Sequence, residues 1–209
     1  MDSRYPARHF HALDLARRAL TAGARTSTVR FLTGLDRRAL RRYFVFDTGD
    51  FPKPGKRPDS PERFFKIATL FTMIDASLVY AIYRDHHDRW PQPAEALLTA
   101  YEHYANRRAL RELSFDRVFY VVCWTDRLWA WTGQEAVLRS TVCGYCHCRY
   151  LAPPAAVENH ARDCPFCKLQ VRYARDPGLQ GRFPERQHPP ITAALAEIMT
   201  SLGPPPEPT

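Results

Sequence analysis

Four cysteines arranged in two pairs constrain this chain more than any other feature. Cys143-Gly-Tyr-Cys146 and Cys164-Pro-Phe-Cys167 are C-x-x-C motifs separated by seventeen residues. Two intervening residues let both sulfurs of a pair turn toward one point, and two such pairs offer the tetrahedral four-sulfur shell that Zn2+ favours in closed structural sites. A lone C-x-x-C would suit a redox pair equally well; two at this spacing favour a metal. Cys148 and His147 compete with Cys146 for a place in the shell, and the spacing of His160 to Cys164 would let His160 replace a cysteine. A histidine beside such a knuckle is more often a surface residue. The expected metal ligands are therefore Cys143, Cys146, Cys164 and Cys167, around one structural zinc. Such a saturated shell has neither the open position nor the general base of a hydrolytic site. The ion is expected to fold a segment too short and polar to hold a core unaided. Cys123 lies in an apolar helical stretch and reads as a small buried hydrophobe.

Thiols stay available to a metal in a reducing compartment. Met1 to Arg18 is studded with Arg, His and Asp and does not resemble a signal peptide. The most apolar stretch, Phe64 to Tyr83, is interrupted by Lys66 and Asp75, which argues for a buried helix over a membrane span. A cytoplasmic protein is expected. Its 209 residues, 45% hydrophobic, suffice for a helical domain with appendages. Lys and Arg number 30 against 22 Asp and Glu, a net charge of +8 that favours a polyanion, nucleic acid first. Arginine greatly outnumbers lysine throughout, a pattern coding bias alone can produce, so the distribution of the charge must decide.

The expected fold is mainly α: a helical bundle over residues 1–140, a zinc-binding segment over 141–171, and a Pro-rich, partly disordered tail over 172–209. The first helix reads as Leu13 to Thr21, ended by Gly23. A second runs from Arg25 to Thr33 and stops at Gly34; a third follows from Asp36, as cap, to about Phe46. Phe51 to Ser60 reads as a Pro-rich loop, after which Ser60 caps a helix with Pro61 and Glu62 in its first turn, continuing to about Arg84. Further helices are expected over Ala94 to Arg107 and Phe115 to Trp131, the latter stopped by Gly133, with Phe119, Val122, Leu128 and Trp129 in the core. A short helix over Ile191 to Leu202 precedes a disordered end, Gly203 to Thr209.

Arg25 to Phe44 has the grammar of a helix-turn-helix. Val29 and Leu32 would pack the first helix, Gly34 would make the turn, and Leu35 would plug the angle. Ala39, Leu40 and Tyr43 would hold the second helix against the first. At about 100° per residue, Arg37, Arg38, Arg41 and Arg42 share an arc of roughly 140°, opposite Ala39, Leu40, Tyr43 and Phe44. An ordinary solvated helix face usually mixes signs, whereas this one is arginine only, with Arg25 and Arg30 nearby. These six arginines are the expected DNA contacts, to guanine edges or phosphates.

Taken together, Leu15-Ala-Arg-Arg-Ala-Leu-Thr-Ala-Gly-Ala-Arg25, Leu32-Thr-Gly-Leu-Asp-Arg-Arg-Ala-Leu-Arg-Arg-Tyr-Phe44, the loop Gly49-Asp-Phe-Pro-Lys-Pro-Gly55 and the two cysteine pairs resemble the FlhC family of flagellar transcriptional regulators, over roughly Leu13 to Cys167. The resemblance implies a zinc-containing, largely helical, cytoplasmic protein. It also implies a hetero-oligomer with an FlhD-like partner, a heterohexamer, that binds promoter DNA upstream of flagellar operons and activates transcription with RNA polymerase. The family's cysteine ligands fall on Cys143, Cys146, Cys164 and Cys167. The Pro-rich C-terminus, the extra cysteines and core aromatics such as Tyr80 and Trp129 depart from the family pattern, and they bear on partner and target more than on fold.

Three function classes follow. The first is a DNA-binding activator subunit. The second is a zinc-stapled protein–protein interaction module without sequence-specific DNA binding. An enzyme is not expected, for want of a phosphate loop, a nucleophile elbow or suitably paired carboxylates. His86 and His87 between Asp85 and Asp88 suggest a metal cluster, but they follow a helix end, where His and Arg meet the dipole favourably.

Overall fold

The computed structural model describes residues 4–48, 68–90, 92–107, 113–129, 138–152 and 164–184. They are mainly helical. Six helices come first: α1 (Arg4–Thr21), α2 (Thr26–Thr33), α3 (Arg37–Thr48), α4 (Leu70–Arg89), α5 (Pro93–Arg107) and α6 (Phe115–Asp126). The strands β1 (Arg139–Val142) and β2 (Arg149–Ala152) follow, then α7 (Pro165–Tyr173) and α8 (Pro177–Arg182). By its packing the chain divides into two units, Met1–Leu169 and Gln170–Thr209.

Local chemistry sets most helix ends. Gly23 sits at φ 80° while Ala24 N–H reaches Ala19 C=O at 2.9 Å, the left-handed close that glycine allows without strain. Gly34 closes α2 in the same way, at φ 71°, donating to Arg30 C=O. Asp36 Oδ1 accepts from Ala39 N–H at 2.6 Å and opens α3. The first helix begins at Arg4, well before Leu13, because Pro6 falls in its first turn, where a missing N–H goes unnoticed.

Two expected helices are corrected. No continuous helix joins Ser60 to Arg84, since Thr69 is extended (φ −70°, ψ 165°) and its side chain accepts from Thr72 N–H, starting α4 afresh at Leu70. Ser60, Pro61 and Glu62 lie outside the described residues, as do Gly133, Ile191 to Leu202 and Gly203 to Thr209. Arg84–Asp88 and Asp85–Arg89 pairs at 3.1 and 2.9 Å line the last turns of α4. The helix stops at Arg89 because Trp90 precedes a proline and is held extended. The helix from Phe115 ends at Asp126, short of Trp131. Arg127 takes a left-handed conformation (φ 56°) and donates to Cys123 C=O. Leu128 and Trp129 still pack on the core from outside the helix, with the Trp129 ring 5.1 Å from Phe119.

In the first unit, α4 packs on α5 and α6, and α1 on α2 and α5. Leu97, Leu98, Phe115, Phe119, Tyr83, Tyr104 and Tyr120 are almost wholly buried. Two buried phenols find carboxylate acceptors: Tyr104 Oη donates to Asp75 Oδ2 at 2.5 Å, and Tyr80 Oη to Asp126 Oδ1 at 2.5 Å. Burial, then the Asp126 hydrogen bond, pushes the Tyr80 phenol well above its ordinary range. Arg18 on α1 bridges to α5, gripping Glu102 through Nε and Nη2, both at 2.9 Å, and Glu95 through Nη1 at 2.7 Å.

The sheet is an antiparallel hairpin with Val142 opposite Arg149 and Arg139 opposite Ala152. Side chains alternate across a strand, so β2 has two inner faces. Leu151 joins the helical core, while its neighbours Tyr150 and Ala152 join a second cluster built on the cysteines. Leu151 N–H also donates to Ser77 Oγ on α4 at 3.1 Å, fastening the strand to the helix. The cysteine segment is thus built onto the helices through one strand.

In the second unit, Asp176 Oδ1 accepts from Leu179 N–H at 3.0 Å and caps α8, and Tyr173 Oη donates to Phe183 C=O at 2.8 Å.

Candidate metal centre and basic helix face

The hairpin turn and the start of α7 bring the two cysteine pairs together. Cys143 immediately follows β1 and Cys146 comes in the turn after it; Cys164 sits immediately before α7, and Cys167 lies in its first turn. The ligand atoms of Cys143, Cys146, Cys164 and Cys167 all lie within 4.8 Å of one another. Cys143 Sγ is 3.7 Å from Cys167 Sγ, and Cys146 Sγ is 3.6 Å from Cys164 Sγ. Metal–sulfur bonds of about 2.3 Å in a tetrahedron imply sulfur–sulfur edges of about 3.8 Å. The four thiols therefore fit one tetrahedral ion, with no position left over. All six cysteines are free thiols.

Backbone geometry points the sulfurs inward. Cys143 N–H donates to Cys148 C=O and His147 N–H to Cys143 C=O, both at 3.0 Å, closing the first turn. Tyr145 N–H reaches Cys143 Sγ at 3.4 Å. The left-handed residue of this turn is His147 (φ 58°), whereas Gly144 has open space around it and no positive φ. Pro165 is the first residue of α7, where its fixed φ suits the helix.

Without a cation the cluster is electrostatically divided. The backbone N–H groups of Cys146 and Tyr145 hold the Cys143 thiol down at about 7, whereas desolvation and neighbouring thiols push Cys167 up to about 12. Four thiolates this close need a positive ion between them. Cys148 is exposed and stands outside the four, as does the exposed His147; His160 lies outside the described residues. Among the described residues no other group of three or more such side chains is placed to hold a metal. Asp85 and Asp88 are taken by arginines, while His86 faces His103 across 3.3 Å. Cys123 is buried in the helical core, its thiol pushed far up by desolvation.

The arginines divide differently from the expectation. Arg30, Arg37, Arg38, Arg41 and Arg42 are exposed. On the other side of α3, Leu40 is 1% exposed, and Ala39 and Phe44 are half-buried; Val29 and Leu32 of α2 are buried beside α1. Tyr43 is corrected: it is 43% exposed, with its ring edge-on to His9 at 5.9 Å and Arg42 over its face at 5.8 Å. Arg25 differs from the other five: it is half-buried, with Nε 3.4 Å from Asp116 Oδ2.

Asp116 is the residue that sequence reasoning missed. Its Oδ1 accepts from Arg25 N–H at 3.1 Å and Thr28 Oγ1 at 2.6 Å, placing a buried negative charge at the N-terminus of α2. The partner lies 91 residues away, and an acid in the first turn of α6 already has a local reason to be there, so no local signal marks it. Among the described residues no helix is long and apolar enough to cross a membrane. A scan against protein-family models and a search of curated proteins each return no match for this chain.

Proposed function

We propose that this chain is a DNA-binding transcriptional activator subunit of the FlhC kind, cytoplasmic, acting in a hetero-oligomer with an FlhD-like partner to switch on flagellar operons through RNA polymerase. The observation that carries the reading is the pair α2–α3. A glycine turn joins two short helices whose inner side holds Val29, Leu32 and Leu40, while Arg30, Arg37, Arg38, Arg41 and Arg42 stand exposed and of one sign. In this reading α2–Gly34–α3 is a helix-turn-helix, and α3 enters a major groove with guanidinium groups directed at guanine edges and phosphates. Asp116 sets the angle of entry by fixing the start of α2.

The ion that the four sulfurs hold is taken to be zinc, which favours a closed tetrahedral thiolate shell and adds no redox chemistry. Its part is structural. Cobalt substitution checks the donor set: absorption of a full four-thiolate site supports it, and nitrogen or oxygen donors refute it.

Co-expression with an FlhD-like protein and footprinting on a flagellar promoter tests the function. Protection should be sequence-specific and fall steeply with salt. Arg37→Ala or Arg41→Ala should each cost about 1–3 kcal/mol of binding. Wild-type affinity in both variants would exclude α3 as the reading helix. If the assembled complex never prefers a promoter, the chain is instead a zinc-stapled interaction module. Trp90, 55% exposed beyond the end of α4, is the feature that favours that second reading.

A further inference from the structure

Tyr145 is the most exposed large apolar side chain among the described residues, at 73%. It occupies the tip of the hairpin, between Cys143 and Cys146, and its own N–H is engaged by Cys143 Sγ. A ring carried on a turn fixed by metal ligands loses little freedom when something stacks on it. Val142, 41% exposed, stands cross-strand from exposed Arg149 at the mouth of the same hairpin. Lys168 follows Cys167, whose sulfur is 3.7 Å from that of Cys143, so it too lies beside the cluster. Arg139, Arg149 and Lys168 are all exposed, and none forms an ion pair among the described residues. The described residues between 138 and 169 contain no carboxylate; besides the cysteines and the cations, their titratable side chains are His147, Tyr145 and Tyr150. Four thiolates around a divalent ion leave two negative charges, which N–H groups directed at sulfur partly offset.

We propose that this tip is a second nucleic-acid contact, in which the Tyr145 ring stacks on an unpaired base of single-stranded DNA while Arg149 and Lys168 hold the adjoining phosphates. An aromatic ring amid cations suits a base and its backbone. A protein hot spot would sit in an apolar patch, and here Val142 is the one exposed apolar neighbour within the hairpin. Duplex DNA is disfavoured because its base faces are already stacked. The choice of DNA over RNA rests on the proposed function of α3; the stacking itself does not.

The test uses the full-length, metal-replete chain and a fluorescent oligothymidylate, followed by anisotropy. Tyr145→Ala should weaken binding about tenfold, Tyr145→Phe should stay within about twofold, and both should retain the metal. Arg149→Gln should flatten the logarithmic salt dependence by about 0.7. Wild-type binding in Tyr145→Ala, an equal loss in Tyr145→Phe, or no oligothymidylate binding by the wild-type chain would each overturn the contact. Tighter binding of oligouridylate would overturn the assignment to DNA. If the wild-type complex ignores promoter duplex while Tyr145→Ala still weakens oligothymidylate binding about tenfold, the function proposed for α3 fails and the hairpin contact stands.

Discussion

The cysteine hairpin and the arginine-faced pair α2–α3 both lie in the first unit, yet different forces hold them. The hairpin has four residues in each strand, and its small cluster consists of Tyr150, Ala152, Phe166 and the four cysteines. So little apolar area cannot offset the entropy of ordering the segment. Converging sulfurs must supply what packing does not. The helix pair inverts this: Val29, Leu32 and Leu40 are inserted into a large core, and a buried carboxylate from α6 fixes the start of α2. One region depends on coordination chemistry, the other on long-range packing.

Chelation should break this contrast most sharply. Removing the ion, or replacing Cys164 by Ser, forfeits a binding free energy on the order of 10 kcal/mol or more in comparable sites. Metal content should fall from about one ion per chain to none. Amide exchange should accelerate from Leu138 to Ala152, while α1, α2 and α5 stay protected. Protection of the hairpin after metal loss would show that packing, not coordination, holds it. Phe119→Ala should do the reverse, costing about 3–5 kcal/mol and lowering the melting temperature of the helices, with the metal retained until they unfold.

Asp116→Ala is smaller and more local. It strands Thr28 Oγ1 and Arg25 N–H, at a cost of about 2–3 kcal/mol. Exchange in α2 should accelerate before that in α4, and, on the proposed function, DNA binding should weaken although none of the exposed arginines of α2 and α3 has changed. Gly34→Ala should have the least effect, about 1 kcal/mol, since a Cβ there meets nothing within 4 Å and only the left-handed φ is strained. A melting shift too small to measure would mean that the turn relaxes freely.

The same contrast explains what could be read from the residues alone. Metal geometry is encoded within each C-x-x-C pair, so Cys143, Cys146, Cys164 and Cys167 were identifiable together, and only the left-handed His147 departs from the simplest turn. Glycine stops were equally legible at Gly23 and Gly34, because a positive φ is a local property. The breaks at Thr69 and Arg127 were not. Threonine caps helices but also sits within them, so Thr69 marks no certain start, and arginine rarely adopts a left-handed conformation, so nothing local announces the stop at Arg127. The periodicity that placed Tyr43 inward rotates an ideal helix. It cannot foresee that His9 and Arg42 flank Tyr43 outside, just as nearness to the arginine face could not foresee that Asp116 captures Arg25.

Strand β2 has a consequence for the lifetime of the protein in a cell. Leu151 looks one way and Tyr150 and Ala152 the other, so loss of an ion held by the four sulfurs would also uncover the flank of α4 around Ser77. Scarcity of metal would then become greasy surface on an otherwise intact molecule, a signal that quality-control proteases read readily. Abundance of the protein would then follow the supply of metal without any dedicated sensor.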